Sequence, residues 1–161
     1  MEERHFLIDC GEGTQVQMRR AKVRFSKINH IFISHLHGDH CFGLPGLVAS
    51  FRLLGRKTPL HIYGPKGIKK MMDTIFEITE TYKGFEVIYH ELEGKESVKI
   101  YEDKRVEVFT IPLNHRIYCN GYLFKEKPKE RHLNMKEISK HKEIEICDFQ
   151  NLRLGKDFVS E

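Results

Sequence analysis

The sequence predicts an α/β fold with strands and helices in separate layers. Three observations carry this. Short apolar strands, glycine turns and helical segments alternate from His5 to Ile78. The run Ile28–Ile33 is almost continuously apolar, as a strand covered on both faces requires. From Phe85 onward strands follow one another with little helix between them, as in a β-meander forming one sheet of a sandwich.

His5–Asp9 reads as a strand and Cys10–Gly13 as the tight turn after it. Thr14 is placed to cap a short helix whose apolar positions are Val16, Met18 and Ala21. Ile28–Ile33 runs straight into Ser34-His35-Leu36-His37-Gly38-Asp39-His40. Gly43-Leu44-Pro45-Gly46 precedes a helix over Leu47–Leu54, which Gly55 ends. Leu60–Tyr63 is a third strand, closed by Gly64-Pro65. Ile68, Met71, Met72, Ile75 and Ile78 fall at helical spacing and mark an amphipathic helix. Phe85–Tyr89, Val98–Tyr101, Val106–Pro112 and Gly121–Phe124 are the strands of the meander. Beyond Lys125 the composition turns to charge, with Asn134 placed to cap a short helix through His141.

A chain of 161 residues with 40% hydrophobic and 31% charged residues can bury one core and has the balance of a soluble globular domain. No apolar run approaches the roughly 20 residues of a membrane span, and no charged segment followed by an apolar one opens the chain. Cys10, Cys41, Cys119 and Cys147 form no C-x-x-C pair, which suits a reduced, cytoplasmic setting. A net charge of +4 permits a polyanionic partner without demanding one.

The chemistry concentrates in His35-x-His37-x-Asp39-His40. Imidazoles two residues apart on an extended segment point the same way. The turn that follows, with Gly38 supplying backbone freedom, swings Asp39 and His40 toward a second position. One loop thereby offers ligands to two adjacent metals, and imidazole nitrogen with carboxylate oxygen suits zinc. A single histidine at a strand end is usually structural. Four ligand-type residues in six positions are hard to explain by packing, because burying them unpaired is costly. Asp9 is open between two roles, a hydrogen bond back to this loop and the capping of its own strand end. Cys10 and Cys41 read as core thiols. His30, His61 and His90 read as structural or surface residues, and His5, His132 and His141 have no metal-type spacing.

Four runs in order, Asp9-Cys10-Gly11-Glu12-Gly13-Thr14-Gln15, His35–His40, Gly43–Leu47 and Ile62–Gly67, resemble the ribonuclease Z family of the metallo-β-lactamase superfamily. The histidine run alone marks the superfamily; the first and third runs narrow it to the tRNA-processing branch. The resemblance implies part of an αβ/βα sandwich, a mixed sheet with helices on one face and His35–His40 at its strand ends. It implies that His35, His37 and His115 hold a first zinc, that Asp39 and His40 belong to a second, and that Asp39 is the catalytic proton acceptor. His115 follows the apolar strand Val106–Ile111, whose end can return to the mouth of the sheet. It implies an enzyme that removes the 3′ trailer of precursor tRNA, with water between two zincs as nucleophile. It also implies a homodimer in which one subunit's arm serves the other's site.

On this reading residues 1–124 are the N-terminal part of the metallo-β-lactamase domain, and 125–161 are the charged arm with a truncated return to the core. Lys125, Lys127, Lys129 and Arg131 could neutralise tRNA phosphates, but Glu126 and Glu130 are interleaved, and a solvated charged loop fits the composition as well. The family has two strands before its Asp-Cys-Gly-Glu run. After the arm it has a bridging aspartate and a final histidine for the second zinc. These 161 residues hold no Ser-Asp-Thr or Gly-Asp-Thr segment to match that aspartate. The expectation is a first half, with at most one weak zinc site where the intact subunit has two, and inactive by itself. Two other readings stand beside it: the same fold acting on a small phosphodiester or sulfate ester, and a non-catalytic metal- or RNA-binding module.

Overall fold

A computed structural model describes residues 5–82 and 84–158. The chain divides into two compact units, Met1–Val98 with Phe109–Leu123, and Lys99–Val108 with Phe124–Glu161.

The first unit is built from β1 (His5–Ile8), α1 (Thr14–Arg20), β2 (Ile28–Phe32), α2 (Gly38–Cys41), α3 (Leu44–Leu53), β3 (Leu60–Pro65), α4 (Ile68–Ile78) and β4 (Val87–Leu92). The four strands lie in sequence order and all pair in parallel, with His30 opposite both Phe6 and His61, and Leu60 opposite Val87. Each step between neighbouring strands passes through helix, and crossovers of one hand in one direction put every helix on the same face. Met18 of α1, Leu44, Leu47 and Phe51 of α3, and Ile68, Met72 and Phe76 of α4 accordingly bury against Ile28, Ile31, Leu60 and Ile62. The apolar spacing that predicts α4 is this buried stripe.

The opposite face of the sheet is aromatic. His30 stacks on His61 at 4.9 Å between ring centroids, and His61 on His90 at 5.3 Å. Phe32 stacks on Tyr63 at 4.7 Å, and Tyr63 on His90 at 4.2 Å. The three histidines that the sequence marks as structural or surface residues are thus one layer of a packed column. His61 Nδ1 and His90 Nε2 lie 3.0 Å apart. Tyr122 covers this face, its ring 5.2 Å from that of Phe32 and its hydroxyl donating to the Ile33 carbonyl.

Burial pushes His61 and His90 below the ordinary imidazole value of 6.5; Glu86 and Arg56 act in opposite senses on His61, and His61 adds to the effect on His90. Both groups are depressed in the folded state, so the unfolded chain takes up their protons first as pH falls. Their contribution to stability is full above 6.5 and is lost as pH drops from there through the lowered folded values. The urea midpoint should therefore fall between about pH 8 and pH 5.5. His90→Phe should flatten that dependence; an unchanged slope in the variant would remove this column as its source.

Several expectations change. Phe85–Tyr89 is not the start of a meander: the strand is Val87–Leu92, and the α4 crossover returns it parallel to β3 at the edge of the first sheet. Parallel and antiparallel pairing are thereby divided between two sheets. Thr14 does not cap α1; it is the first helical residue, and Gly13 at the cap position makes no side-chain bond. Asn29 of β2 is exposed, so that strand is covered on both faces only toward its end, at Ile31 and Phe32.

The second sheet has the order β5-β6-β7, from β5 (Lys99–Glu102), β6 (Val106–Pro112) and β7 (Asn120–Glu126). Residue 98 bonds to 110 while 103 bonds to 106, and 113 bonds to 119 while 127 bonds to 105, so consecutive strands run antiparallel. β6 and β7 each pass from one unit into the other.

In the second unit the Asp103 carboxylate accepts from the amides of Arg105 and Val106 and closes the β5–β6 turn. Lys127 pairs with Glu102, and Lys99 with Glu107 at 3.1 Å. Such surface pairs add little stability each. The unit ends in α5 (Met135–Ile138), capped by the Asn134 side chain, and α6 (Phe149–Arg153). The helix expected through His141 stops at Ile138. Among the described residues no helix is long and apolar enough to cross a membrane.

Candidate metal centre

The site lies where β2 ends. His37 is extended (φ −73°, ψ 149°), and the chain then turns at once into α2. His35 and His37 lie side by side, their ring centroids 4.7 Å apart. α2 carries Asp39 and His40, with the His40 ring 4.0 Å from that of His35 and Asp39 Oδ2 3.4 Å from His40 Nε2. Gly38 does not work through backbone freedom here: it is helical, and the Phe42 ring lies where its Cβ would be, 2.6 Å away.

His115 arrives from the link between β6 and β7. The Leu113 amide donates to the Cys119 carbonyl and folds this link back, and the Asn120 amide donates to Ser34 O and docks it on the metal loop. His115 Nε2 ends 3.4 Å from His37 Nδ1. His35, His37 and His115 each offer a ring nitrogen, and these atoms lie within 4.8 Å of one another. Three imidazoles at that spacing are a donor set that fits a zinc-sized ion with a fourth position open. Asp39 and His40 stand beside them as a pair, the Asp39 side chain 76% exposed.

Behind the site sits Asp9, in the left-handed region at φ 56°. Its carboxylate accepts from the Ser34 amide at 2.7 Å and the Ser34 hydroxyl at 2.9 Å, and lies 2.7 Å from His40 Nδ1. Of the two roles open to Asp9, the side chain takes the one toward the loop. Burial, followed by the neighbouring imidazoles of His40, His115 and His37, pushes His35 below its ordinary value against the opposing pull of Asp9. Burial also raises Cys41 and Cys119 and takes Cys10 up to about 12, so these thiols stay protonated and suit core packing.

Sequence reasoning missed what two of the motif runs do for each other. The Cys10 amide donates to His40 O at 2.7 Å, and the Gly43 amide to Cys10 O at 2.9 Å. A Cβ on Gly11 would collide with the Asp39 carbonyl, and one on Gly43 with the Gly11 carbonyl. The glycines therefore let the turn after β1 and the loop around α2 touch backbone to backbone, which is what holds Asp39 and His40 in place. Gly43→Ala should cost about 3 kcal/mol or more, because the colliding atoms are backbone and cannot rotate away. Chemical denaturation measures this; a loss below about 1 kcal/mol would mean the two segments separate easily.

The charged segment is less concentrated than the metal loop. Lys127 is paired with Glu102 and Lys129 with Glu126 at 3.0 Å, while Lys125 and Arg131 are exposed. Two of the four expected phosphate contacts thus have carboxylate partners within their own unit.

A parallel sheet with helices on one face, an antiparallel sheet after it and a His-x-His-x-Asp-His loop at the strand ends define a metallo-β-lactamase fold. The metallo-β-lactamase fold protein YhfI from Bacillus subtilis superposes with a TM-score of 0.57 at 18% identity, over 78% of this chain and 48% of that one. Within that class the chain is similar to proteins of the ribonuclease Z family. It is 46% identical to the Ribonuclease Z of Bacteroides thetaiotaomicron over 99% of its own length and 50% of that protein. The crystal structure of human tRNase Z, short form, matches with a TM-score of 0.73 at 33% identity, over 80% of this chain and 57% of that one. A family model described as anti-Pycsar protein Apyc1 matches residues 1–76. The chain spans about half the length of the curated relatives it matches.

Proposed function

We propose that the protein to which these residues belong is a zinc-dependent endoribonuclease that removes the 3′ trailer from precursor tRNA, working in the cytoplasm as a homodimer. The observation that carries this is the 46% identity to a ribonuclease Z along 99% of the chain. The donor geometry supports it. His35, His37 and His115 would hold one zinc, and Asp39 with His40 would contribute to a second. Bound zinc would activate water and stabilise charge on the scissile phosphate. Asp39, exposed at the rim, accepts the proton of the attacking water. His35, buried and neutral, holds its ring nitrogen in place rather than moving a proton. Asp9 orients His40 through its Nδ1. Lys125 and Arg131 would contact tRNA phosphates, with Lys127 and Lys129 joining once released from their glutamates.

The test is cleavage of an end-labelled precursor tRNA by the product of the complete reading frame, zinc-loaded. A cut after the discriminator base is expected, and Asp39→Ala should slow it by at least about a thousandfold. An enzyme that ignores the precursor but hydrolyses bis-p-nitrophenyl phosphate at an Asp39-dependent rate would replace this reading with the small-phosphodiester one.

A further inference from the structure

Ser34 stands between the Asp9 carboxylate and two histidines. Its hydroxyl donates to Asp9 Oδ2 at 2.9 Å, while Asp9 Oδ1 takes the Ser34 amide at 2.7 Å. A hydroxyl that gives its single proton to a carboxylate keeps lone pairs to accept with. Two ring nitrogens approach that oxygen, His35 Nδ1 at 3.0 Å and His40 Nδ1 at 3.3 Å. His40 Nδ1 has the shorter path of 2.7 Å to Asp9 itself, and a hydrogen bond to an ionised acceptor is the stronger one. The Ser34 oxygen is therefore left for His35. Among the described residues the Cys119 sulfur also lies near His35 Nδ1, at 3.8 Å, a longer contact to a weak acceptor.

We propose that Ser34 is a positioning residue that relays the Asp9 carboxylate to His35, so that one carboxylate keeps the protons of both His35 and His40 on Nδ1 and both Nε2 atoms bare for metal. The two rings serve different metal positions under the proposed nuclease reading, on which this inference rests, and Asp9 with Ser34 ties those positions together. The order of residues makes the device compact. Ser34 is the last residue before the first ligand, and Asp9 leaves the neighbouring parallel strand at the same level, its amide bonded to Phe32 O. Fixing the tautomer of a ligating histidine through its other nitrogen raises affinity by removing the need to reorganise on binding.

Nitrogen-15 labelling of the ten histidines and long-range proton–nitrogen spectra of the metal-free chain at about pH 8 read the tautomers directly. His35→Gln identifies the His35 signals. Free neutral imidazole prefers its proton on Nε2, so the Nδ1–H form is diagnostic. His35 and His40 should both be Nδ1–H in the native chain. Ser34→Ala should move His35 toward Nε2–H, leave His40 as it was, and weaken zinc binding by roughly 10- to 100-fold. Ser34→Thr, which keeps the hydroxyl, should restore the His35 tautomer. A native His35 with its proton on Nε2 overturns the proposal even if Ser34→Ala fails to fold. So does a Ser34→Ala chain whose His35 remains Nδ1–H. Neither readout involves RNA, so a protein that cuts no tRNA would sink the nuclease reading and leave this result standing.

Discussion

Replacing His115 by alanine is expected to weaken zinc binding to this chain by more than about 100-fold, the upper end of what losing an outer hydrogen-bond partner alone does. His115 is far along the chain from His35 and His37 and comes from the link after β6, yet its Nε2 lies 3.4 Å from His37 Nδ1. Without it, two imidazoles on one extended segment remain, and two nitrogens do not make a closed tetrahedral site. Asp39 and His40 are poor replacements. The His40 ring lies 4.0 Å from that of His35, but its Nε2 faces the Asp39 carboxylate at 3.4 Å and its Nδ1 is turned to Asp9. Cys119 does not step in either, since its sulfur contacts His35 Nδ1 at 3.8 Å, the ring nitrogen that faces Ser34. Competition against a chelating dye gives the dissociation constant, with His141→Ala as control for a histidine in the second unit. Undiminished affinity in His115→Ala would refute the three-histidine site, and an equal loss in both variants would assign the binding to surface histidines.

Much of this site can be read from the sequence, because the ligands of the loop are local. His35, His37, Asp39 and His40 lie within six residues of a strand end, and strand periodicity fixes the first two side chains before any tertiary contact is known. α4 is legible for a similar reason: its apolar stripe is a property of the helix itself. What is not legible depends on partners distant in sequence. Nothing in Val87–Leu92 states whether the strand continues a meander or joins the first sheet; the crossover through α4 decides it. Ser34 is an ordinary loop serine until Asp9, 25 positions earlier, is seen bonded to both its amide and its hydroxyl. Gly11 and Gly43 look like turn residues, whereas their requirement comes from the close approach of the two backbones. The stacked column of His30, His61 and His90 is invisible along the chain, because it exists only across three paired strands.

Under the proposed nuclease reading, the 161-residue polypeptide, tested by itself, should process precursor tRNA at least about a thousandfold more slowly than the product of the complete reading frame. Two-metal hydrolysis needs both ions held rigidly, one for the entering oxygen and one for the leaving oxygen. Among the described residues, three imidazoles converge on one position, but the other has only Asp39 and His40. Two ligands, one of them on an exposed side chain, do not fix an ion against exchange with water. Excess zinc or manganese should therefore fill the first position and leave the rate low. Association should accompany this. β1 and β4 are the outer strands of the first sheet among the described residues, Ile8 at the end of β1 is 52% exposed, and Leu113 beside the metal loop is 50% exposed. Open strand edges with apolar side chains pair with other chains. The short polypeptide should accordingly sediment as a dimer or larger species, and the product of the complete reading frame should differ in that state as well as in rate. Both quantities are read from one pair of proteins, by gel assay of the labelled precursor and by sedimentation. A short chain that is monomeric and cuts at the discriminator base as fast as the complete one would show that Asp39 and His40 suffice for the second position, and that hydrolysis does not depend on two rigidly held metals.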